Sequence, residues 1–282
     1  MNYRHAFHAG NAADCVKHAL LVWLAEAMRR KPAGFLAVDT HAGTGRTDLA
    51  CEAAGRTGEW RAGIGRLWPE PPEALREYVS LALPEGVPGE GEAGARPYLG
   101  SPMLLRALLR PQDRLVCCEL HPEDHAALRR LFRGDAQVAV HLRDGHEALR
   151  AFLPPPERRA LVVIDPPFEE AGEFVRLAAT LAGAHARFPG GVLAAWYPIK
   201  HRAPVRAFHA AVREGGMRDV VAAELWLREP TDPGRLNGSG LLVVNPPWRF
   251  EAEAGGVLAA LLGRLGEGEA GQGCGVVRLV DE

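Results

Sequence analysis

Lysine is nearly missing from this chain: only Lys17, Lys31 and Lys200 occur in 282 residues. With 33 basic against 35 acidic residues the formal charge is −2. That excludes a protein that coats nucleic acid by bulk charge, although it leaves room for a local basic face. Cysteine is scarce. Cys15, Cys51, Cys117, Cys118 and Cys274 are odd in number and contain no C-x-x-C pair, so neither a disulfide framework nor a zinc site is suggested. His5 and His8 have the spacing of a metal pair, but no carboxylate or cysteine completes a zinc set beside them, and no metal is expected. No run of eighteen apolar residues is present, and Met1-Asn2-Tyr3-Arg4-His5 lacks the apolar core of a signal peptide. The expectation is a soluble, cytoplasmic protein with no membrane partner.

What is present is a long alternation of strand and helix signals. An amphipathic helix over Asn11–Arg30 is followed by a short strand, Phe35–Asp39, and a glycine turn. Further strand signals fall at Arg114–Glu119, Gln137–Leu142, Leu161–Ile164, Val192–Trp196, Val220–Leu227 and Gly240–Asn245. Helical patterns separate most of them, near Pro102–Leu109, Glu123–Phe132, His146–Phe152, Gly172–Ala186 and Pro204–Arg213. Such an order predicts an α/β fold: a mostly parallel, Rossmann-like sheet covered on both faces, within a single domain over residues 1–282. The last two strand signals have no helix between them and read as an antiparallel hairpin. Between about residues 51 and 99 the rhythm breaks into the helical patches Trp60–Trp68 and Pro72–Leu83 and a loop rich in Gly, Pro and Glu, which reads as an inserted helical subdomain.

The strand ends carry the chemistry. Val38-Asp39-Thr40-His41-Ala42-Gly43-Thr44-Gly45-Arg46 follows the first strand, and its glycines let backbone approach a ligand closely. A dinucleotide site would want a third glycine where Asp48 stands and an acid about twenty residues on; both are missing. S-adenosylmethionine has no phosphate and needs no third glycine. Glu119, ending the second long strand, is placed to accept both ribose hydroxyls of such a cofactor, and Asp144-Gly145, ending the third, is placed at its adenine. Asp165-Pro166-Pro167-Phe168 follows the buried strand Ala160–Ile164. An acid there can accept a hydrogen from a planar amine, the prolines fix the neighbouring carbonyls, and Phe168 offers a stacking face. This suits methylation of an exocyclic amino group on a base. Asn245-Pro246-Pro247-Trp248 is a second site of similar type, but it follows the last strand of the hairpin, away from the switch point where ligands bind, and Trp248 is assigned a packing role. The acid-free stretch Lys200–Arg213, with Arg202, Arg206, Arg213, His201 and His209, is a candidate phosphate-binding face.

Taken together, Tyr3–Asn11, Lys17-His18, Asp39–Gly43, Arg56–Glu59, Gly100-Ser101-Pro102, Glu119–Pro122, Asp144-Gly145, Asp165–Pro167, Trp196-Tyr197-Pro198 and Asn245–Trp248 resemble the bacterial RlmJ methyltransferases, over essentially the whole length. The resemblance implies a class I S-adenosylmethionine-dependent methyltransferase sheet that methylates N6 of a specific adenine, adenine 2030, in 23S ribosomal RNA. It implies cofactor contacts at His18, His41, Gly43, Ser101, Glu119, Asp144, Gly145 and Asp165, and catalysis by Asp165 with Pro166 and Phe168. Tyr3 and Lys17 match positions near the substrate base. The chain departs from the family's usual tyrosine at Phe168, which removes a hydroxyl and keeps the stacking face. The partner is then 23S ribosomal RNA, naked or in early assembly, and the protein a monomer. Rival readings are adenine methylation of DNA, methylation of a protein glutamine amide, a non-catalytic RNA-binding protein on the same fold and, for want of the third glycine the weakest, a dehydrogenase.

Overall fold

The structure, a computed structural model, describes residues 8–89 and 95–282. Ten strands and ten α-helices alternate along them. In chain order they are α1 (Ala12–Arg29), β1 (Leu36–Asp39), β2 (Arg46–Asp48), α2 (Glu52–Thr57), α3 (Glu59–Ala62), α4 (Arg76–Ala82), β3 (Pro97–Leu99), α5 (Ser101–Leu108), β4 (Arg114–Glu119), α6 (Pro122–Leu131), β5 (Val138–Leu142), α7 (Gly145–Phe152), β6 (Ala160–Ile164), α8 (Glu173–Arg187), β7 (Val192–Ile199), α9 (Arg202–Glu214), β8 (Val220–Trp226), β9 (Gly238–Val244), α10 (Phe250–Leu265) and β10 (Gly273–Val280).

Eight of the strands form one sheet in the order β10-β8-β9-β7-β6-β1-β4-β5. From β5 to β7 neighbouring strands are parallel, and β9, β8 and β10 each run antiparallel to their neighbours. The predicted hairpin is therefore β8 and β9, inserted so that β9 lies against β7. The predicted ending stops short of β10, which closes the edge beyond β8. Chain order reverses at β1, between β4 and β6, and it is at such a reversal that a parallel sheet opens a crevice past its carboxyl ends.

Burial follows from the layers. Ala160-Leu161-Val162-Val163-Ile164 is buried throughout because helices cover both sides, so apolar residues occupy both faces of the strand. Ala37, Leu115, Cys117, Leu161, Val163, Ala194, Leu241 and Val243 face α1, α5, α6 and α10. Val38, Val116, Cys118, Val162, Ile164, Ala195 and Tyr197 face α7, α8 and α9. Helix α1 is wrapped by protein along most of its length, with Leu20, Leu21 and Leu24 fully buried; each such side chain stabilises by roughly 1.5–3 kcal/mol. Asn11 begins it, its side chain accepting the Asp14 amide at 3.0 Å. Trp60, Ile64, Leu67, Leu75, Tyr78 and Val79, from the segment between β2 and β3, join the same core as α1, α5 and α10.

The glycine turn leads into β2, which pairs with β3, and the Gly100 amide donates to the Gly45 carbonyl at 2.9 Å. The helix that a dinucleotide site needs directly after its glycines therefore arrives only as α5, after β3. That geometry agrees with the missing third glycine.

Candidate active site

Strand parity sets the site. Asp39, Glu119 and Asp165 continue the rows of β1, β4 and β6 that face α1, and all three lie at carboxyl ends. Glu119 and Asp165 border a cleft of about 890 Å³ whose walls also include His18, His41, Gly43, Ser101, Asp144, Gly145, Pro166, Phe168 and Lys17, while Asp39 is buried and is not part of its wall. Every described residue assigned to the site from the sequence lines it. Tyr3 lies outside the described residues. The volume is at the upper end for a small-molecule pocket and holds more than one ring system.

The cofactor half is built from backbone and carboxylates. Glu119 Oε2 accepts the Gly43 amide at 2.9 Å and Oε1 accepts the His121 amide at 2.7 Å, so the acid ties the glycine turn to β4 and each oxygen keeps a free lone pair. Burial raises its pKa, partly offset by the His121 and Gly43 amides. Gly43 has φ 57°, and a Cβ there would enter open space. A Cβ on Gly145 would lie 2.1 Å from the Thr40 carbonyl, so α7 can start against the β1 loop only with glycine. Asp144 caps α7 through the His146 and Glu147 amides at 2.9 and 3.1 Å, while its other oxygen pairs with Arg176 at 2.7 Å. Burial opposes that charge, but the Glu147 amide and Arg176 outweigh it and hold the carboxyl below its usual pKa. His18 is buried with Nδ1 2.7 Å from the Tyr98 hydroxyl. His41 lies edge-on to His146, ring centroids 5.1 Å apart; burial first, then His146, pushes its pKa down to about 3, which keeps a neutral ring in the wall. Gly100, not Ser101, is the N-cap residue of α5, and Ser101 sits buried in its first turn. A cradle of free backbone, carboxylate acceptors and the neutral His41 ring fits an uncharged ribose and adenine.

The other half centres on Asp165. Lys17 Nζ lies 2.5 Å from Asp165 Oδ2 and 3.0 Å from Asp14 Oδ1, and Lys17 and Asp14 are each only 5% exposed. Burial disfavours the ammonium, yet the two carboxylates outweigh that penalty and raise its pKa. Phe168 packs edge-on against Phe174 at 4.8 Å and Trp196 at 5.8 Å between ring centroids.

Two acids absent from the sequence reading of the site matter here. Glu59 accepts from Asn11 Nδ2 at 3.0 Å and lies 2.9 Å from His8 Nδ1, holding the residues before α1 to the start of α3. Asp39 is fully buried: one oxygen accepts the His41 amide at 3.3 Å, and Oδ2 is an orphan acceptor. Burial raises its pKa to about 6, with the Ser101 hydroxyl and Lys17 lowering it and Asp165 raising it. An acid raised in this way adds stability that is whole below its unfolded pKa of 3.8 and disappears as pH rises through about 6. His41 and His146, lowered to about 3 and about 4, act oppositely: their contribution is whole above 6.5 and fades on acidification. Asp39→Asn should isolate the acid. Its unfolding free energy relative to the unsubstituted protein should improve between pH 4 and pH 7 by on the order of 3 kcal/mol, from a shift of roughly two units. Equal differences in urea melts at the two pH values would refute the assignment.

Two expectations are corrected. Trp248 is 81% exposed, with its neighbour Arg249 lying 5.4 Å over its ring, so it does not pack in the core. Because β9 runs antiparallel to β7, with Val244 opposite Leu193, Asn245 falls at the amino ends of the parallel strands, where its amide donates to the Pro189 and Gly191 carbonyls. The Lys200–Arg213 stretch is also not wholly free. Arg202 pairs with Glu224 at 3.2 Å and lies 4.1 Å over Trp226, and His209 lies 3.1 Å from the Tyr197 hydroxyl. Those partners come from other strands, which no local acid count reveals.

A parallel sheet reversing at β1, with a glycine turn after it and acids at the next strand ends, defines a Rossmann-like methyltransferase of class I. Residues 32–277 match the family model described as ribosomal RNA large subunit methyltransferase D, RlmJ, and the chain belongs to that family. It is 38% identical over 267 residues to the ribosomal RNA large subunit methyltransferase J of Escherichia coli, covering 94% of each chain. To the protein of the same description from Haemophilus influenzae it is 37% identical, over 93% of this chain and 92% of the other. A crystal structure of the Legionella pneumophila protein LPL1258 superposes with a TM-score of 0.86 at 32% identity, covering 96% of this chain and 98% of that one. The cofactor of this methyltransferase is S-adenosylmethionine. Among the described residues no group of three His, Cys, Asp or Glu side chains could hold a metal ion, and no helix is long and apolar enough to cross a membrane.

Proposed function

We propose that this ribosomal RNA methyltransferase modifies N6 of one adenine in 23S ribosomal RNA, adenine 2030 by its family. The observation that carries this reading is Asp165, a carboxylate paired with a buried lysine, next to Pro166 and Phe168 and in the same cleft as Glu119. Lys17 Nζ, 2.5 Å from Asp165 Oδ2, fixes that carboxylate at the cleft, where an oxygen can accept an amine hydrogen. Asp165 and the Pro166 carbonyl take the two hydrogens of the exocyclic amine, turning its lone pair out of the ring plane. Phe168, backed by Phe174 and Trp196, stacks on the base. Bound S-adenosylmethionine supplies an electrophilic methyl group on its sulfonium. Glu119 would accept hydrogen bonds from the ribose hydroxyls, Asp144 and Gly145 would border the adenine, and Gly43, His18, His41 and Ser101 would complete the wall. The amine attacks without prior deprotonation, and its proton leaves afterwards to Asp165 or water. Lys17 stands near the base, and Tyr3 matches a family position for substrate contact. The protein acts as a cytoplasmic monomer on naked or early-assembly RNA, as one domain with the helices of about residues 51–99 inserted.

The test is methyl transfer from labelled S-adenosylmethionine to deproteinised large-subunit ribosomal RNA and to duplex DNA, with modified nucleosides identified by mass spectrometry. N6-methyladenine in the RNA alone is expected, at a position left unmodified in cells without the gene. Methylated DNA beside unmodified RNA would favour the DNA reading, and no transfer to either would favour a binding protein.

A further inference from the structure

Beyond Asp165 the cleft continues over β7 and β9, where its wall contains Trp196, Pro198, Leu225, Gly238 and Ser239. Register explains why they share it. Ile164 pairs with Ala195, so Asp165 and Trp196, the next residues on β6 and β7, end up side by side, about 5 Å apart between strand backbones. Pro198 lies opposite Ser239, which lies opposite Leu225. Two residues apart on their strands, these positions all point to the α1 face, as does Asp165 with its Lys17 partner.

Two hydrogen-bonding groups in this wall are orphans. Ser239 is 1% exposed, and its hydroxyl has no partner among the described residues; the Trp196 indole Nε1 is buried and equally unpartnered. A buried donor left unsatisfied forfeits its hydration with nothing in return. Orphan donors in a cleft wall are what a site holds when its ligand supplies the acceptors. Asp165 is an acceptor for the amine, so its neighbours face the ring that carries the amine. Adenine flanks its amino group with ring nitrogens that only accept. Guanine presents an N–H and a carbonyl there, which would set donor against the indole donor and leave Asp165 with no hydrogen to accept.

We infer that Trp196 Nε1–H and Ser239 Oγ–H are specificity-determining donors, each reading one ring nitrogen of the target adenine. The inference rests on the adenine reading proposed above and adds the residues that enforce it.

The test uses the full-length enzyme with synthetic RNA spanning the methylated adenine, carrying there adenosine or its 1-deaza, 3-deaza or 7-deaza analogue. Trp196→Phe and Ser239→Ala should each keep the unsubstituted enzyme's Kd for S-adenosylmethionine and lower kcat/KM on the adenosine RNA by roughly three- to tenfold, the effect of one net hydrogen bond. The unsubstituted enzyme should lose a similar factor on the analogue lacking the nitrogen that Trp196 reads, and Trp196→Phe should treat that analogue and adenosine alike. Ser239→Ala should behave in the same way towards a second analogue. Variants that lose one constant factor on all four RNAs, or lose nothing, would overturn the inference, because a purely structural role is additive with the base change. An unsubstituted enzyme that leaves the adenosine RNA unmethylated would instead overturn the adenine reading, and the inference would fall with it.

Discussion

Asp165→Ala is expected to lower turnover by about 10²–10⁴-fold while leaving the affinity for S-adenosylmethionine near that of the unsubstituted enzyme, because the partner proposed for this carboxylate is the substrate amine. Asp165→Asn divides the role. The amide keeps an acceptor oxygen and cannot take a proton, so partial activity would assign the residue to positioning, and loss as deep as with alanine would assign it to proton acceptance. The asparagine also stops neutralising Lys17, whose ammonium lies 2.5 Å away, so part of its loss will be electrostatic. Single-turnover rates across pH separate these contributions: a positioning defect lowers the rate evenly, whereas a missing proton acceptor makes the remaining rate depend on solvent base. Normal methylation by Asp165→Ala would remove the assignment altogether. Asn245 would not inherit the role, since it sits at the opposite end of the sheet with its amide bound to Pro189 and Gly191.

Much of this site was legible because strands have a period of two and ligands collect at carboxyl ends. Glu119, Asp144 and Asp165 were placed by those rules, and all three border the cleft. The glycine turn was legible because Gly43 and Gly45 take positive φ, 57° and 82°, and Gly145 because a side chain there would overlap backbone of the β1 loop. Local patterns could not show which distant groups these acids meet. Arg176 on Asp144 and Lys17 on Asp165 depend on how α8 and α1 dock, across 32 and 148 residues of chain. Ser239 fell just outside the expected strand Gly240–Asn245, and only the β7–β9 register places it beside Trp196 and Pro198. Helix α10 escaped notice because Gly255, Gly256 and Gly263 lower its helical propensity; packing of Ala254, Val257, Leu258 and Leu261 against the core forms it nonetheless. Strand β10 was missed because it is a partly exposed edge whose apolar pattern is weak.

Lys17→Met is the second substitution with a large expected effect, and here it falls on stability and catalysis together. Methionine fills nearly the same volume, so packing is kept while the charge is removed. What remains is Asp14, 5% exposed, and Asp165 at the cleft, two carboxylates that had shared one ammonium. Removing one partner of a buried ion pair costs about 3–5 kcal/mol, since the carboxylates lose that cation while Asp14 stays out of water. The raised pKa of Lys17 means that its contribution is present at every pH where the protein is handled and would be lost only as pH rose through that folded value. The loss in Lys17→Met should therefore be large at neutral pH. The double substitution Lys17→Met with Asp14→Asn separates the two effects. Urea melts should show most of the lost stability restored, since one buried charge is gone, while turnover stays low, since Asp165 still lacks its cation. If the double variant regains turnover along with stability, Lys17 serves only the fold, and the polarity of Asp165 is set by other groups.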